Sequence, residues 1–207
     1  MPTATLVNDG SYLPMLQSGH PFINVFNDTG NRAYIGEIFS AQMKTILRFT
    51  LLATQGETIV GASLKLTASE PTGYGQAYTG QAYTLRADAS DNASWPAGAT
   101  AADKVTNAEG RTLTSASVST LFTSSLEITP HDFDITNVIQ EIVNRAGWVS
   151  GSSVLLFFSD YSSGVYHSIV TSEDANGPAP TLTFAGSAGS TNATSLVWMM
   201  IDEQETA

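Results

Sequence analysis

Apolar residues recur along this chain at two spacings. Over most of its length they alternate with Thr, Ser and other polar residues, the period of a strand with one buried face. In "KTILRFTL" (Lys44–Leu51), Ile46, Arg48 and Thr50 alternate with Leu47, Phe49 and Leu51. In "ETIVGASLKLTAS" (Glu57–Ser69), Leu64 and Leu66 point one way while Ser63, Lys65 and Thr67 point the other. "SSVLLFFSD" (Ser152–Asp160) is nearly continuous in apolar residues, which predicts a central strand covered on both faces. Further strands are predicted at Tyr34–Phe39, Ala116–Phe122, Leu126–Ile128, "YHSIVTSE" from Tyr166 and "APTLTF" from Ala179. The tandem "GQAYTGQAYT" (Gly75–Thr84) has an odd period, which inverts strand facing between copies. A loop or hairpin is therefore expected at the first copy and a strand at the second.

The second spacing is confined to "DFDITNVIQEIVNRAGW" (Asp132–Trp148). Here Ile135, Val138, Ile139, Ile142, Val143 and Ala146 fall on one helical face, predicting a helix over about 136–146. Asp134 or Thr136 can accept a bond from the free amides of its first turn, and Gly147 is expected as the left-handed residue that ends it. A single amphipathic helix inside a series of strands is explained as a cap over exposed core.

These elements predict an all-β fold, a two-sheet antiparallel jelly-roll sandwich with one crossover helix. Residues 1–33 read as an irregular segment, punctuated by Pro and Gly, that is part of the sandwich or packed on it. Residues 34–184 form the sandwich, with a long polar connection, "DASDNASWPAGATAADKVTN" from Asp88, anchored by Trp95. Residues 185–194 are a small-residue linker. Residues 195–207 form a C-terminal apolar strand or arm, "SLVWMMI", with an acidic end.

Length and charge narrow the function. A chain of 207 residues buries enough surface to fold without staples, and it contains no cysteine. That removes disulfides, thiolate metal sites and cysteine nucleophiles together. The opening residues lack a basic stretch followed by an apolar one, so no export signal is expected. No run of eighteen apolar residues exists, so no membrane span is expected. The formal charge of −11 repels phosphate backbones and anionic lipid, and the eight cations are scattered along the sequence. Neither nucleic acid nor membrane is an expected partner.

Candidate chemistry is sparse. His20, His131 and His167 have no partner at ligand spacing, and no phosphate loop, nucleophile elbow or zinc-protease pattern is present. Asp88 with Asp91, Asp132 with Asp134, and Glu173 with Asp174 are the oxygen pairs with which sandwich loops hold calcium. Helix capping and turn formation account for them more simply. No catalytic residue, resident metal or cofactor is therefore expected, and the chain is read as no enzyme. Tyr74, Tyr78, Trp95, Tyr161 and Tyr166 fall in or beside loops, where ring faces could stack on a sugar or touch a partner.

The order of motifs resembles that of the DNRLRE-type family of β-sandwich domains, which are close to carbohydrate-binding modules. The resemblance rests on "ILRFTL" (Ile46–Leu51), "GETIVGASLKL" (Gly56–Leu66), "DFDITNVIQEIVNRAGWVSG" (Asp132–Gly151) and "TSEDANGPAPTLTF" (Thr171–Phe184). It covers roughly Tyr34 to Phe184, and Trp95 matches the tryptophan before that family's long central loop. Domains of this type occur in secreted glycan-acting enzymes and cell-surface proteins, and similar ones in tailed-phage virions as decoration, head-fibre or minor tail proteins.

The resemblance implies a virion structural protein, made in the host cytoplasm and displayed on the particle surface. Its expected partners are the major capsid protein or other virion subunits and copies of itself, with a trimer suggested by analogy. The alternative is a carbohydrate-binding module that recognises a polysaccharide. In the arm, Leu196, Trp198, Met199 and Met200 are the expected contact residues, either with a neighbouring subunit or capsid, or with the chain's own sandwich.

Overall fold

A computed structural model describes residues 3–13, 25–27, 32–38, 41–69, 81–122, 129–159, 166–172 and 177–187. In chain order these form β1 (Thr3–Leu13), β2 (Val25–Asn27), β3 (Arg32–Ile38), β4 (Ala41–Thr50), β5 (Ile59–Ser69), β6 (Gln81–Ala87), α1 (Ala101–Glu109), β7 (Val118–Phe122), β8 (Thr129–Asp134), α2 (Thr136–Val143), β9 (Ser153–Ser159), β10 (Tyr166–Val170) and β11 (Thr181–Gly186). The fold is all-β, with every described strand pair antiparallel.

The first sheet is built around β5. Lys65 opposes both Thr181 and Asp132, while Ala68 opposes both Ile169 and Thr129. β8 therefore occupies one flank of β5, and β11 and β10 share the other. From β10 the sheet continues to β3 and the first residues of β4, and from β11 to Thr3 and Ala4 of β1. The second sheet runs β2–β1–β4–β9–β6–β7. Two strands belong to both sheets. Ala41–Met43 pair with β3 in the first, and Lys44–Thr50 pair with β1 and β9 in the second. Strands that switch sheets in this way turn a corner, and they close one side of the sandwich.

The eleven-residue β1 overturns the expectation of an irregular N-terminus. Its Asn, Asp and Gly residues read as turn formers, yet Asn8, Asp9 and Gly10 pair with Arg48, Leu47 and Ile46. Long-range pairing with an apolar central strand outweighs the weak local β propensity of those residues.

Helix α2 closes the opposite side. Val138, Ile139, Ile142 and Val143 are fully buried, facing the core that also holds Leu64, Leu66, Tyr83, Leu85, Leu156 and Phe158. Burial of such side chains contributes roughly 1.5–3 kcal/mol each. The expected first-turn bond is present, although the N-cap residue, Ile135, makes no side-chain cap: Asp134 Oδ1 accepts from the Thr136 amide at 2.9 Å and from its hydroxyl at 2.6 Å. The expected exit is not. The helix ends at Val143, with Asn144 in right-handed geometry, and Gly147 has no positive φ. A Cβ on Gly147 would instead collide with the Asp91 carboxylate. The glycine is explained by close approach rather than by backbone handedness.

The other sequence expectations meet mixed outcomes. β9 is buried at all seven positions, as a strand covered on both faces requires. β6 coincides with the second "GQAYT" copy; the first copy and Leu126–Ile128 lie outside the described residues. Thr67, expected on the polar face opposite Leu64 and Leu66, is buried as they are. The polar connection after Asp88 contains a second helix, α1, in place of the single helix expected.

Candidate functional site

The outward face of the second sheet carries a second apolar cluster bordered by charged and aromatic side chains. On β4 and β9, Ile46, Leu155 and Phe157 point away from the main core. With Ala93, Val105 and Ala108 they form this cluster, edged by Phe26, Trp95 and Leu113. The chain from Asp88 to Ala116 roofs this cluster. Its first residues run beside β9, with the Asp88 amide donating to Leu155 O at 2.8 Å and the Ala93 amide to Ser153 O at 2.9 Å. α1 then lies across β2, and the Lys104 ammonium sits 5.4 Å from the centre of the Phe26 ring.

α1 is held by a capping box. Thr100 Oγ1 accepts from the Asp103 amide at 3.2 Å, and Asp103 Oδ2 accepts from the Thr100 amide at 2.9 Å and from its hydroxyl at 2.8 Å. Those bonds hold the Asp103 carboxyl below its ordinary range. Gly98 is pressed so close to Asp103 that a Cβ there would strike it.

Charged groups tie this roof together and fasten it to the sheet and to the segment after α2. Lys44 on β4 donates to both oxygens of Glu109 at the end of α1, at 2.8 and 2.9 Å. Arg48 Nε donates to Ala93 O at 3.0 Å. Arg111 pairs with Asp88, their side chains 12% and 7% exposed, and its other nitrogen reaches Asn107 Oδ1 at 2.8 Å. Arg145 Nε meets Asp91 Oδ1 at 2.7 Å. Cations scattered through the sequence thus converge in space. The signal was present in β4, where Lys44, Ile46 and Arg48 share one face.

One depression adjoins the roof, and another lies on the first sheet. The first, between Lys44, Ala108, Glu109, Arg111, Leu113, Phe157 and Ser159, has a volume of about 50 Å³, room for a few waters. The other is shallow, about 370 Å³, along Val60–Ser63, Asp132, Asp134 and Thr136. Its carboxylates have local partners: Asp132 lies 3.7 Å from Lys65, and Asp134 accepts from the Thr136 amide. Among the described residues no three His, Asp or Glu side chains gather as a metal site. His131 is buried on β8, stacked on Phe133 at 6.2 Å between centroids; burial lowers its pKa, and Asp132 opposes that shift in part.

Two of the expected aromatic residues are described, and they lie at different sheets. Trp95 is half-buried at the edge of the second cluster, its ring 6.0 Å from Phe26 and near perpendicular to it. Tyr166 opens β10 opposite Gly36, in the other sheet. Tyr74, Tyr78 and Tyr161 lie outside the described residues, as do Leu196, Trp198, Met199 and Met200, and Glu173 with Asp174. Among the described residues no helix is long and apolar enough to cross a membrane.

No protein-family model and no curated protein matches the chain.

Proposed function

We propose that this chain is a non-enzymatic structural protein of a virion, a capsid decoration or head-fibre subunit of a tailed phage, with the major capsid protein as its partner. The observation that carries this reading is the use of charged side chains as fasteners. Lys44 with Glu109 joins the 88–116 roof to the sheet, Asp91 with Arg145 joins it to the segment after α2, and Asp88 with Arg111 ties the roof's own ends together. Glu141 accepts from the Ser115 and Ala116 amides at 2.9 and 2.6 Å, securing the approach to β7. Acids and bases placed in this way hold a shape; they are not aimed at a substrate. The order of framework motifs adds the resemblance to sandwich domains found on phage particles.

The glycan reading draws less support from Trp95, whose ring is engaged with Phe26 and the second cluster. The test is purification of particles from the host that encodes the chain, followed by quantitative mass spectrometry and immunogold labelling. The reading expects the chain at many copies per particle, on the surface, beside genes for capsid, portal and terminase. Its absence from particles, or a place among polysaccharide lyase genes, would overturn it.

A further inference from the structure

Among the described residues the large apolar side chains left exposed are Val7 at 44%, Leu52 at 68%, Val60 at 65% and Val149 at 64%. The strand registers place all of them toward one end of the sandwich. Leu52 and Val149 stand on adjoining turns, because the Gly151 amide donates to Leu51 O at 2.8 Å and Ser150 Oγ to Leu52 O at 2.8 Å. Val60 lies between Ile59, opposite Gly186, and Gly61, opposite Ala185. Val7 occupies the bulge of β1 beside Arg48 and Phe49, close to where β4 ends.

The chain also leaves the sandwich at this end. The Ser187 amide donates to Thr58 O at 2.7 Å, and Gly186 packs against Glu57 so closely that a Cβ would strike the carboxylate. Beyond Ser187 the sequence continues with a tether of small residues, Ala188–Ser195, and then the apolar run "LVWMMI", Leu196–Ile201. Eight tether residues reach at most about 27 Å, and the contour from Thr58 back to Leu52 is at most about 21 Å. The run is therefore within reach of the exposed pair, at the millimolar effective concentration that a short tether provides.

We infer that Leu196–Ile201 folds back on its own sandwich and covers Leu52 and Val149, with Val60 and Val7 at the rim. The occupant is the chain's own segment, since tethering favours it over a second copy at ordinary concentrations. This docking is independent of the virion reading and leaves the remaining surfaces for a capsid.

The absence of cysteine makes the test clean. The double variants Leu52→Cys/Met199→Cys and Val149→Cys/Met199→Cys are oxidised at micromolar concentration, with Ser119→Cys/Met199→Cys as control. Ser119 is exposed on β7, opposite Thr84 and thus toward the other end. The first two pairs are expected to close within the monomer about tenfold faster than the control. Equal rates for all pairs, or disulfide-linked dimers in place of closed monomers, would overturn the inference. Hydrogen exchange on the unaltered chain gives a second reading. Amides 196–201 should exchange about tenfold more slowly than in the free peptide Ser195–Ala207, and a free-peptide rate would contradict the docking.

Discussion

Gln140 of α2 bonds to Ile59 of β5 as a neighbouring strand would. Its Oε1 accepts from the Ile59 amide at 2.7 Å, while its Nε2 donates to Glu57 O at 2.9 Å. One turn earlier, Thr136 Oγ1 accepts from the Ala62 amide at 2.9 Å, and the Ile135 amide donates to Ala62 O at 2.9 Å. β8 pairs with β5 only as far as Ser63 and Asp134. Side chains four residues apart on a helix continue that ladder where the strand has ended, and so cover an edge that would otherwise be open.

The helix is thus an edge strand rebuilt from side chains, and its polar face carries stability. Gln140→Ala and Thr136→Ala are each expected to cost about 1–3 kcal/mol, because each strands an amide of a buried residue. Thr136→Ser keeps the hydroxyl and should cost less than about 1 kcal/mol. Urea unfolding with an unchanged slope measures all three. Midpoints for the alanine variants matching the parent would show that water replaces these bonds.

Gly147 allows a test of why it is glycine. Gly147→Ala is expected to destabilise by up to about 1 kcal/mol, since its Cβ must push aside the Asp91 carboxylate and loosen its pair with Arg145. In an Asp91→Ala background the clash is gone, and the same change should be neutral or slightly stabilising. The Arg145–Asp91 pair is partly exposed, so its own loss contributes little. A cost for Gly147→Ala that persists without Asp91 would point to backbone geometry instead.

This position also shows what was legible in the sequence. Periodicity gave the helix and its core face, because Val138, Ile139, Ile142 and Val143 meet only the demand for burial. It could not place Gly147, whose neighbour Asp91 is 56 residues away in the chain. β9 was legible for the same reason as α2, but the second cluster over Leu155 and Phe157 was not. α1 buries only Val105 and Ala108, too few for a periodic signal, and its one local mark was Thr100 with Asp103 before Gly110. β1 was missed because its pairing partner lies forty residues on. For the candidate site, Trp95 packs at the edge of the second cluster, but the cations that fasten the connection are separated from their partners by tens of residues and meet them only in the folded chain.

His131 sets a pH dependence. It is buried with its pKa lowered, chiefly by desolvation, so the unfolded chain binds a proton more readily than the folded one. Stability from the neutral form is present above the unfolded value of about 6.5 and is lost as pH falls below it, toward the folded pKa. The urea midpoint should therefore begin to decline as pH falls below about 6.5 in the parent, and His131→Asn should lack that part of the decline. Parallel curves for the two proteins would assign the loss to carboxylates.

α1 should open without the sandwich unfolding. Nine residues are too few for a helix to persist alone, so its order rests on the capping box, on two buried apolar side chains and on the Lys44–Glu109 link. None of these lies in the main core, which remains intact when the roof lifts. Thr100→Ala removes the oxygen that caps the Asp103 amide and leaves that amide to water. Amides in the interior of α1 are expected to exchange about fivefold faster, while those of β4 and β9 keep their parental rates. Acidification below the lowered pKa of Asp103 should reproduce the effect, since a protonated carboxyl accepts more weakly from Thr100. If Thr100→Ala instead speeds exchange equally in α1, β4 and β9, the roof and the sandwich open as a single unit, and the second cluster is part of the main core's cooperativity.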